Sequence, residues 1–257
     1  MLIGIKRFGG VLNAMADIEI RKTEAIKLKD PVVVLGFPGT GLVGSVAASH
    51  LVDALDLKFG GYISSPDFAP LAAIHNYVPL PAARIHFSQK YNLVVILSEM
   101  AIPVGNSMEL ADKIFSFAKS IRASSIISLG GISLKEEENV VYVVSTNRDM
   151  VKEIVDKKIA KPIREGATTG VTGVLLTKGS LESFPVMTIL AEAAQDFLDP
   201  GAASKALKVL SSILKIQIDT AELDKEQSVL VKSSKDKIIK SKIFGKGPSA
   251  SEGGMYG

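Results

Sequence analysis

The 257-residue sequence contains no cysteine and no tryptophan, and it has only three histidines. Without cysteine the chain can form no disulfide, no cysteine nucleophile and no thiolate metal site, and this composition fits an intracellular protein best. His50, His75 and His86 form no pair at the spacing of metal ligands, and no H-E-x-x-H segment occurs. The sequence therefore predicts neither a metal site nor a cofactor.

A hydrophobic run long enough to span a membrane is also missing. The start of the chain is mildly apolar, but Lys6 and Arg7 interrupt it before the apolar core of a signal peptide could form. We therefore expect a cytoplasmic protein that does not contact membranes. Met15 resembles a translation start, and we interpret residues 1–14 as an extension or a disordered arm on which no function depends.

Net positive charge is concentrated in the last part of the chain, and the rest is close to neutral. The net charge is +3, and the late lysines are Lys225, Lys232, Lys235, Lys237, Lys240, Lys242 and Lys246. This stretch lacks the interleaved aromatic residues and the arginine forks that nucleic-acid readers use. It is more typical of a solvated helix end, so we expect no nucleic-acid partner.

The first structured unit is predicted from the pattern over residues 31–64. A short β-branched run ends at Pro38 and Gly39, which predicts a buried strand, and apolar residues then recur at helical spacing from Leu42 to Leu55. Another strand is expected over residues 59–64. Strand, helix and strand make a βαβ unit, for which parallel pairing and a right-handed crossover are expected.

The remaining elements are predicted with the help of proline and glycine, which mark loops and the ends of helices and strands. Prolines at positions 66, 70, 79 and 81 predict loops and short edge strands. Further strands are predicted at residues 92–97, 124–129, 140–145 and 185–191. Helices are predicted at residues 107–121, 150–157 and 199–214. Gly166, Gly170 and Gly173 are interpreted as marking a loop.

This alternation predicts one three-layer α/β domain with a mostly parallel sheet flanked by helices. We place its boundaries at residues 15–218. A charged C-terminal helix is expected over residues 219–240, and the small, polar and glycine-rich residues 241–257 are expected to form a flexible tail.

A glycine-rich loop follows the first predicted strand. Gly39, Gly41 and Gly44 spell G-x-G-x-x-G at a helix start, where backbone amides could hold a phosphate. The dinucleotide fingerprint is incomplete, because residues 62–65 read Tyr-Ile-Ser-Ser where a ribose-binding acid would close the second strand. The loop is not a Walker A motif either, because no Gly-Lys-Ser/Thr follows it. The favoured interpretation is that these glycines and Gly36 permit a tight turn and close packing of helix on sheet.

Other candidate catalytic groups are weak. Ser116 and Lys119 match S-x-x-K on an amphipathic helix without the companion motifs of that hydrolase class. The acidic run at residues 136–138 is typical of a solvated loop. Glu99 follows a buried strand, where α/β proteins place ligands, and is the one acid to test for catalysis, although an interface or capping role is favoured.

The C-terminal residues Met255, Tyr256 and Gly257 offer an apolar side chain, a phenol and a free carboxylate. Such groups can fill a pocket, form hydrogen bonds at its rim and pair with a lysine, and capture of a C-terminal carboxylate is a recurring recognition mode. By composition, roughly one chain in a hundred ends hydrophobic-Tyr-X by chance. The motif alone is a weak signal.

Several segments resemble the archaeal members of the proteasome assembly chaperone family, which are related to the second eukaryotic assembly chaperone. The most specific, residues 33–45, reads V-V-L-G-F-P-G-T-G-L-V-G-S. The others, in order along residues 31–220, are residues 97–99 with 102–103, residues 127–132 and residues 170–176.

The resemblance implies an α/β fold similar to purine nucleoside phosphorylases, homo-oligomerisation, and binding to the α-ring of the proteasome core particle without catalysis. It also implies a docking role for the C-terminus, because archaeal members end in hydrophobic-Tyr-X and Met255, Tyr256 and Gly257 match that motif. We therefore predict a non-enzymatic proteasome assembly chaperone or activator. The alternative is a nucleoside- or nucleotide-binding enzyme with a phosphorylase-like fold.

Overall fold

The computed structural model describes residues 17–134, 140–195 and 197–231. The strands are β1 (Glu19–Lys22), β2 (Val32–Gly36), β3 (Lys58–Ser64), β4 (Ala72–His75), β5 (Val78–Pro81), β6 (Ala83–Ser88), β7 (Leu93–Ser98), β8 (Ser125–Ile132), β9 (Val141–Ser145), β10 (Lys161–Pro162) and β11 (Val186–Glu192). The helices are α1 (Val43–Ala54), α2 (Ser107–Ser120), α3 (Arg148–Asp156), α4 (Gly170–Leu181), α5 (Pro200–Leu214) and α6 (221–231).

Nine strands form one sheet in the order β1-β3-β6-β7-β2-β8-β11-β9-β10. The four central strands β7, β2, β8 and β11 are parallel. On one side β6, β3 and β1 continue the sheet by antiparallel pairing, and on the other side β9 pairs antiparallel with β11. The sheet is therefore mixed, with a parallel centre, and the predicted α/β class with flanking helices is confirmed.

Two hydrophobic cores lie on opposite faces of the sheet. Along β2 the side chains alternate, so that Val34 packs in the core with α1 and α5 while Val33 and Leu35 pack in the core with α2 and α4. A strand that is buried on both faces reads as a continuous apolar run rather than as an alternating one. This explains why β2 and β7 were recognisable from sequence.

The predicted parallel pairing of the first βαβ unit is wrong. β3 pairs antiparallel with β6 and β1 and lies three positions away from β2 in the sheet. The chain returns to the neighbourhood of β2 only with β7, after the β4–β5 hairpin and β6. The pairing partner of a strand is a long-range choice, and the local pattern over residues 31–64 contains no information about the strands that intervene.

Glycine misled the prediction at two places. The segment interpreted as a loop around Gly170 and Gly173 begins α4, and β8 continues through Gly130 and Gly131 to Ile132. A Cβ at Gly131 would lie 2.1 Å from the Thr40 carbonyl oxygen, and one at Gly173 would lie 2.5 Å from that of Thr168. These glycines permit close backbone contacts inside regular elements rather than ending them.

Strands β1, β6 and β10 had no counterpart in the prediction. α6 falls within the predicted charged helix at residues 219–240, and the extension at residues 1–14 and the tail at residues 241–257 lie outside the described residues. The proposed domain boundaries therefore stay predictions. In the part of the chain that the structure describes, no helix is both long enough and apolar enough to cross a membrane.

Candidate functional site

The glycine loop joins β2 to α1 and is packed against the sheet. A Cβ at Gly36 would lie 2.2 Å from the Gly44 carbonyl oxygen and 2.3 Å from the Ala48 Cβ. A Cβ at Gly44 would lie 2.5 Å from the carbonyl oxygens of Leu129 and Phe37. Both glycines thus allow α1 to approach β2 and β8 more closely than any side chain would permit.

The other two glycines of the loop differ from each other. Gly41 has a left-handed backbone with φ of 61°, and a Cβ there would lie 2.9 Å from the Ala193 Cβ. A Cβ at Gly39 would meet nothing within 4 Å. Packing or backbone conformation thus accounts for Gly36, Gly41 and Gly44, which favours the structural interpretation of the loop over phosphate binding.

Glu99 lies just beyond the end of β7 in a cluster that sequence reasoning only half identified. Its Oε1 accepts hydrogen bonds from Arg84 Nη2 at 2.6 Å and from His75 Nε2 at 2.7 Å. The Arg84 side chain is only 2% exposed. Arg84 Nη1 also donates to the Pro81 carbonyl at 3.5 Å, and a charged group so deeply buried requires such partners.

The cluster of Arg84, Glu99 and His75 joins the β4–β5 hairpin to the body. His75 ends β4 and Pro81 ends β5, while Arg84 belongs to β6 and Glu99 follows β7. Because Glu99 is committed to two cationic or polar partners within the fold, the structure favours the interface role over a catalytic one. The sequence did contain a signal for a strand that carries Arg84. In residues 83–87, the polar Arg84 and His86 alternate with the apolar Ala83, Ile85 and Phe87.

His86 is buried beside this cluster on the same face of β6. Its Nδ1 donates to the Leu57 carbonyl at 3.2 Å, and its Nε2 has no hydrogen-bond partner among the described residues. The pKa of His86 is lowered to about 4, mainly by burial and to a smaller extent by the neighbouring Arg84 and His75, while the bond to Leu57 acts in the opposite direction. The ring is therefore neutral at physiological pH.

The remaining sequence candidates do not assemble into a catalytic set. His50 is half-buried on α1 and its ring lies 2.6 Å from the Asp219 carbonyl oxygen. Ser116 is exposed on α2, and Lys119 forms an ion pair with Glu182. The acidic run at residues 136–138 lies outside the described residues.

Large exposed apolar side chains concentrate at one edge of the sheet, which we call the carboxyl edge because β2, β7, β8 and β11 end there. They lie in the connections that leave or enter this edge. We call the following set the apolar rim: Leu42, Leu71, Ile74, Tyr77, Val78, Val104, Met108, Leu134, Phe197 and Leu198. Leu181, at the end of α4, is exposed at the opposite edge. Single exposed hydrophobic residues are ordinary, but a concentration on one side indicates an interaction surface.

Two members of the apolar rim also have strained backbones. Leu42 and Tyr77 are left-handed, with φ of 51° and 68°, and Tyr77 follows Asn76 at 48° in the hairpin turn. A bulky residue in this conformation costs roughly 1–2 kcal/mol. Since the Tyr77 side chain is 99% exposed, no packing within the described chain offsets that cost. The hairpin turn requires this backbone but not a bulky aromatic residue, so an exposed tyrosine at the turn points to a role outside folding.

The described chain ends at the carboxyl edge as well. α6 packs antiparallel to α5, because Asp224 accepts from Lys208 Nζ at 2.9 Å and the Gln227 side chain accepts from the Gly201 amide at 3.3 Å. Gly201 lies in the first turn of α5, so residue 231 reaches the side on which the rim lies. Met255, Tyr256 and Gly257 lie outside the described residues.

Comparison with known proteins decides the family. A sequence profile of the PAC2 family matches residues 33–235. The chain belongs to the PAC2 family. This PAC2 protein is 26% identical over 226 residues to an uncharacterised protein of Methanocaldococcus jannaschii, a match that covers 88% of this chain and 92% of the relative.

Two solved structures from Pyrococcus furiosus have the same fold as this PAC2 protein. PbaA, an archaeal homologue of proteasome-assembly chaperone, is 26% identical with a TM-score of 0.75, and the match covers 83% of this chain and 92% of PbaA. PbaB, an archaeal proteasome activator, is 26% identical with a TM-score of 0.74, and the match covers 86% of this chain and 99% of PbaB. The predicted family resemblance is confirmed.

Proposed function

We propose that this protein is a non-enzymatic proteasome assembly chaperone or activator that binds the α-ring of the core particle. The observation that carries the proposal is the match to PbaB, a proteasome activator, over nearly the whole of that protein. Membership of the PAC2 family and the match to PbaA support the same function. A cytoplasmic location and the absence of catalysis belong to the proposal.

The C-terminal Met255, Tyr256 and Gly257 are proposed to enter pockets between α subunits. The methionine fills the pocket, the phenol forms hydrogen bonds at its rim and the terminal carboxylate pairs with a lysine. Glycine suits the last position because that residue contributes mainly its carboxylate. Residues 241–254, taken as the flexible chain that the sequence predicts, would span roughly 20 Å root-mean-square, which is enough to search for a pocket from a docked body.

A homo-oligomer is proposed because three residues make a small contact. Several tails displayed at spacings that the ring accepts would raise the effective concentration of each one and supply avidity without new contacts. A closed symmetric ring of copies would hold the tails at such spacings. An assembly role would use the body to hold α subunits, and an activating role would use the tails to favour an open ring; the two can coexist.

The test compares four full-length or near-full-length proteins for binding to the core particle of the same organism, with peptide hydrolysis as a second readout. They are the wild type, a protein lacking residues 255–257, Tyr256→Ala, and Ser251→Ala as a control within the same tail. We expect binding and faster hydrolysis with the wild type and the control. The affinity for the core particle and the increase in hydrolysis should both fall at least about tenfold in the protein lacking residues 255–257 and in Tyr256→Ala.

Binding by all four proteins alike would contradict the docking role of the terminus while keeping the partner. Absence of binding by all four would contradict the proposed function itself. Unchanged light-scattering mass in Tyr256→Ala is expected, because the terminal tyrosine is proposed to contact the ring and not another copy of the chain.

A further inference from the structure

The β4–β5 hairpin and the turn after β7 both carry exposed residues of the apolar rim at the same edge of the sheet. Ile74, Tyr77 and Val78 lie on the hairpin, Val104 lies in the turn that precedes α2, and Met108 lies in the first turn of α2. Asn106 ties the two parts together, because its amide donates to Asp67, in the connection that leads into β4, at 2.9 Å. We call these five residues, with Leu71, the hairpin face.

We propose that the hairpin face is the surface through which the body of this protein docks on the outer surface of the α subunits. This inference rests on the proposed function and adds to it a second contact, separate from the C-terminal motif. The face would meet an apolar patch on its partner, with Tyr77 as the anchoring side chain.

The position of the tail identifies the occupant. α6 carries the chain to the carboxyl edge, and the 26 residues 232–257 continue from there to the proposed docking motif. Tails that leave from one side of the body reach a ring over the shortest path when that side faces the ring. The hairpin face lies on this side, so docking through the tails brings it against the α subunits.

The chemistry of the face fits a dry contact. The polar groups around it have partners within the fold, since Glu99 accepts from Arg84 and His75, and Asp67 accepts from Asn106. The large side chains that remain exposed are mostly apolar, with Val104 90% and Ile74 73% exposed. Tyrosine is one of the residues that most often anchor protein interfaces, because it buries a large area and retains a hydroxyl for hydrogen bonding.

The construction of the hairpin fits the same role. It is held to the body by the cluster of Arg84, Glu99 and His75, of which Arg84 is almost fully buried. A contact surface that is fixed before binding loses less conformational entropy when it docks. The two-residue turn itself requires a left-handed backbone at Tyr77, a position that asparagine or glycine would occupy with less strain, so the exposed tyrosine there is explained by a contact that the free protein lacks.

The test uses the full-length protein with Tyr77→Asn and, separately, Val104→Ser. Asparagine tolerates the left-handed conformation better than tyrosine, so Tyr77→Asn should leave the protein equally or more resistant to urea. Affinity for the core particle should nevertheless fall about tenfold for each variant. Leu181→Ser is the matched control, because Leu181 is 81% exposed but lies at the opposite edge of the sheet, and its affinity should equal that of the wild type.

Light scattering of each free variant separates the possible occupants. Wild-type mass with reduced affinity supports docking on the core particle. A smaller mass for Tyr77→Asn or Val104→Ser would show that the hairpin face joins copies of this chain, and it would overturn the proposal. Unchanged affinity in both variants would also overturn it.

Deletion of residues 255–257 distinguishes this failure from failure of the proposed function. If that deletion weakens binding and Tyr77→Asn does not, only the hairpin face is refuted. If the wild type itself does not bind the core particle, both proposals fall.

Discussion

At the scale of single residues, His86 combines deep burial with an ionisable ring. Its Nδ1 bond to Leu57 keeps the ring oriented, but its Nε2 faces no donor or acceptor among the described residues, and Arg84 lies two positions away on the same face. Protonation would place a second cation in a site that already holds one. The neutral form is therefore the one that the fold requires.

The free energy of unfolding should fall as the pH is lowered from about 6.5 toward 4. The pKa of His86 is about 4 in the folded protein against 6.5 in an unfolded chain. The unfolded state therefore binds more protons between these pH values, and this stabilises it relative to the folded state by up to ~3 kcal/mol. Urea unfolding of the wild type and of His86→Gln checks this. The variant should show a shallower pH dependence.

Ser116→Ala is the control for that experiment, since Ser116 is exposed on α2 and carries no ionisable group. Its pH profile should run parallel to that of the wild type. Parallel profiles for wild type and His86→Gln would instead refute the assignment of the pH dependence to the buried ring.

The glycine loop supplies a matched pair of substitutions. Gly44→Ala should destabilise the protein by about 2–4 kcal/mol, because its Cβ would lie 2.5 Å from two carbonyl oxygens and α1 would have to move. Gly39→Ala should change stability by less than about 1 kcal/mol, since that Cβ has open space and φ of −167° is ordinary extended backbone.

Urea titrations give the free energy of unfolding of each variant and so measure both stability changes. Equal losses in the two variants would show that the loop does not pack as described. The pair also tests why the G-x-G-x-x-G pattern exists in this chain, because a loop built for phosphate would need Gly39 as much as Gly44.

At the scale of elements, the β4–β5 hairpin depends on the ion cluster rather than on a hydrophobic core of its own. Asn76 and Tyr77, both left-handed, make the two-residue turn, and this backbone matches the twist of a hairpin. Pro79 and Pro81 are tolerated in β5 because this strand has only one partner. Residues whose backbone nitrogen faces away from that partner do not need an N–H donor. A two-stranded hairpin is only marginally stable alone.

Glu99→Gln should therefore loosen the hairpin and destabilise the fold by about 2 kcal/mol. The change removes the negative charge that faces the buried Arg84 guanidinium at 2.6 Å and leaves a buried cation without a counter-charge. Limited digestion with chymotrypsin should cut faster after Tyr77 in the variant than in the wild type. Urea unfolding measures the loss of stability.

Glu19→Gln is the matched control, because Glu19 pairs with Arg21 at the surface, where both side chains are more than half exposed. Exposed pairs contribute little, so its stability should be within about 0.5 kcal/mol of the wild type. A hairpin that is equally resistant to chymotrypsin in wild type and Glu99→Gln would contradict the proposed role of the cluster.

At the scale of the whole molecule, the two ends of the described chain lie at the same edge of the sheet. β1 starts there because Glu19 pairs with Ser64 at the end of β3, and the Ile18 amide donates to Glu109 near the start of α2 at 2.6 Å. α6 ends there by packing against α5. The rim and the two ends of the described chain thus share one side of the body.

A protein that begins at Met15 should unfold at the same urea concentration as the full chain. The predicted extension, residues 1–14, precedes the first described contact, whereas Ile18 is fully buried and β1 completes the sheet edge. A protein that begins at Thr23 should lose several kcal/mol, because it lacks Ile18 and β1. A large loss on removing residues 1–14 alone would refute their interpretation as an extension.

Much of the fold could be predicted from local pattern. β2, β7, α2 and α5 were recognised because burial on both faces of a strand and on one face of a helix imposes periods that are visible in 5 to 15 consecutive residues. Asp199 and Pro200 marked the start of α5, and the Asp199 side chain does accept from the Ala202 amide at 2.9 Å. The terminal Met255, Tyr256 and Gly257 could be read only from sequence, since they lie outside the described residues.

Strand partners, the ion cluster and the apolar rim could not be predicted in this way. Arg84, Glu99 and His75 are separated by up to 24 residues and meet only because β6 pairs with β7 and the hairpin folds back over their ends. Likewise, Leu42, Val104 and Phe197 reach the same edge only because the parallel strands end there, and Tyr77 joins them because the antiparallel β3 and β6 place the hairpin at that edge. Local periodicity reports whether a residue is buried within its own element, whereas pairing and shared edges depend on contacts between segments far apart in the chain.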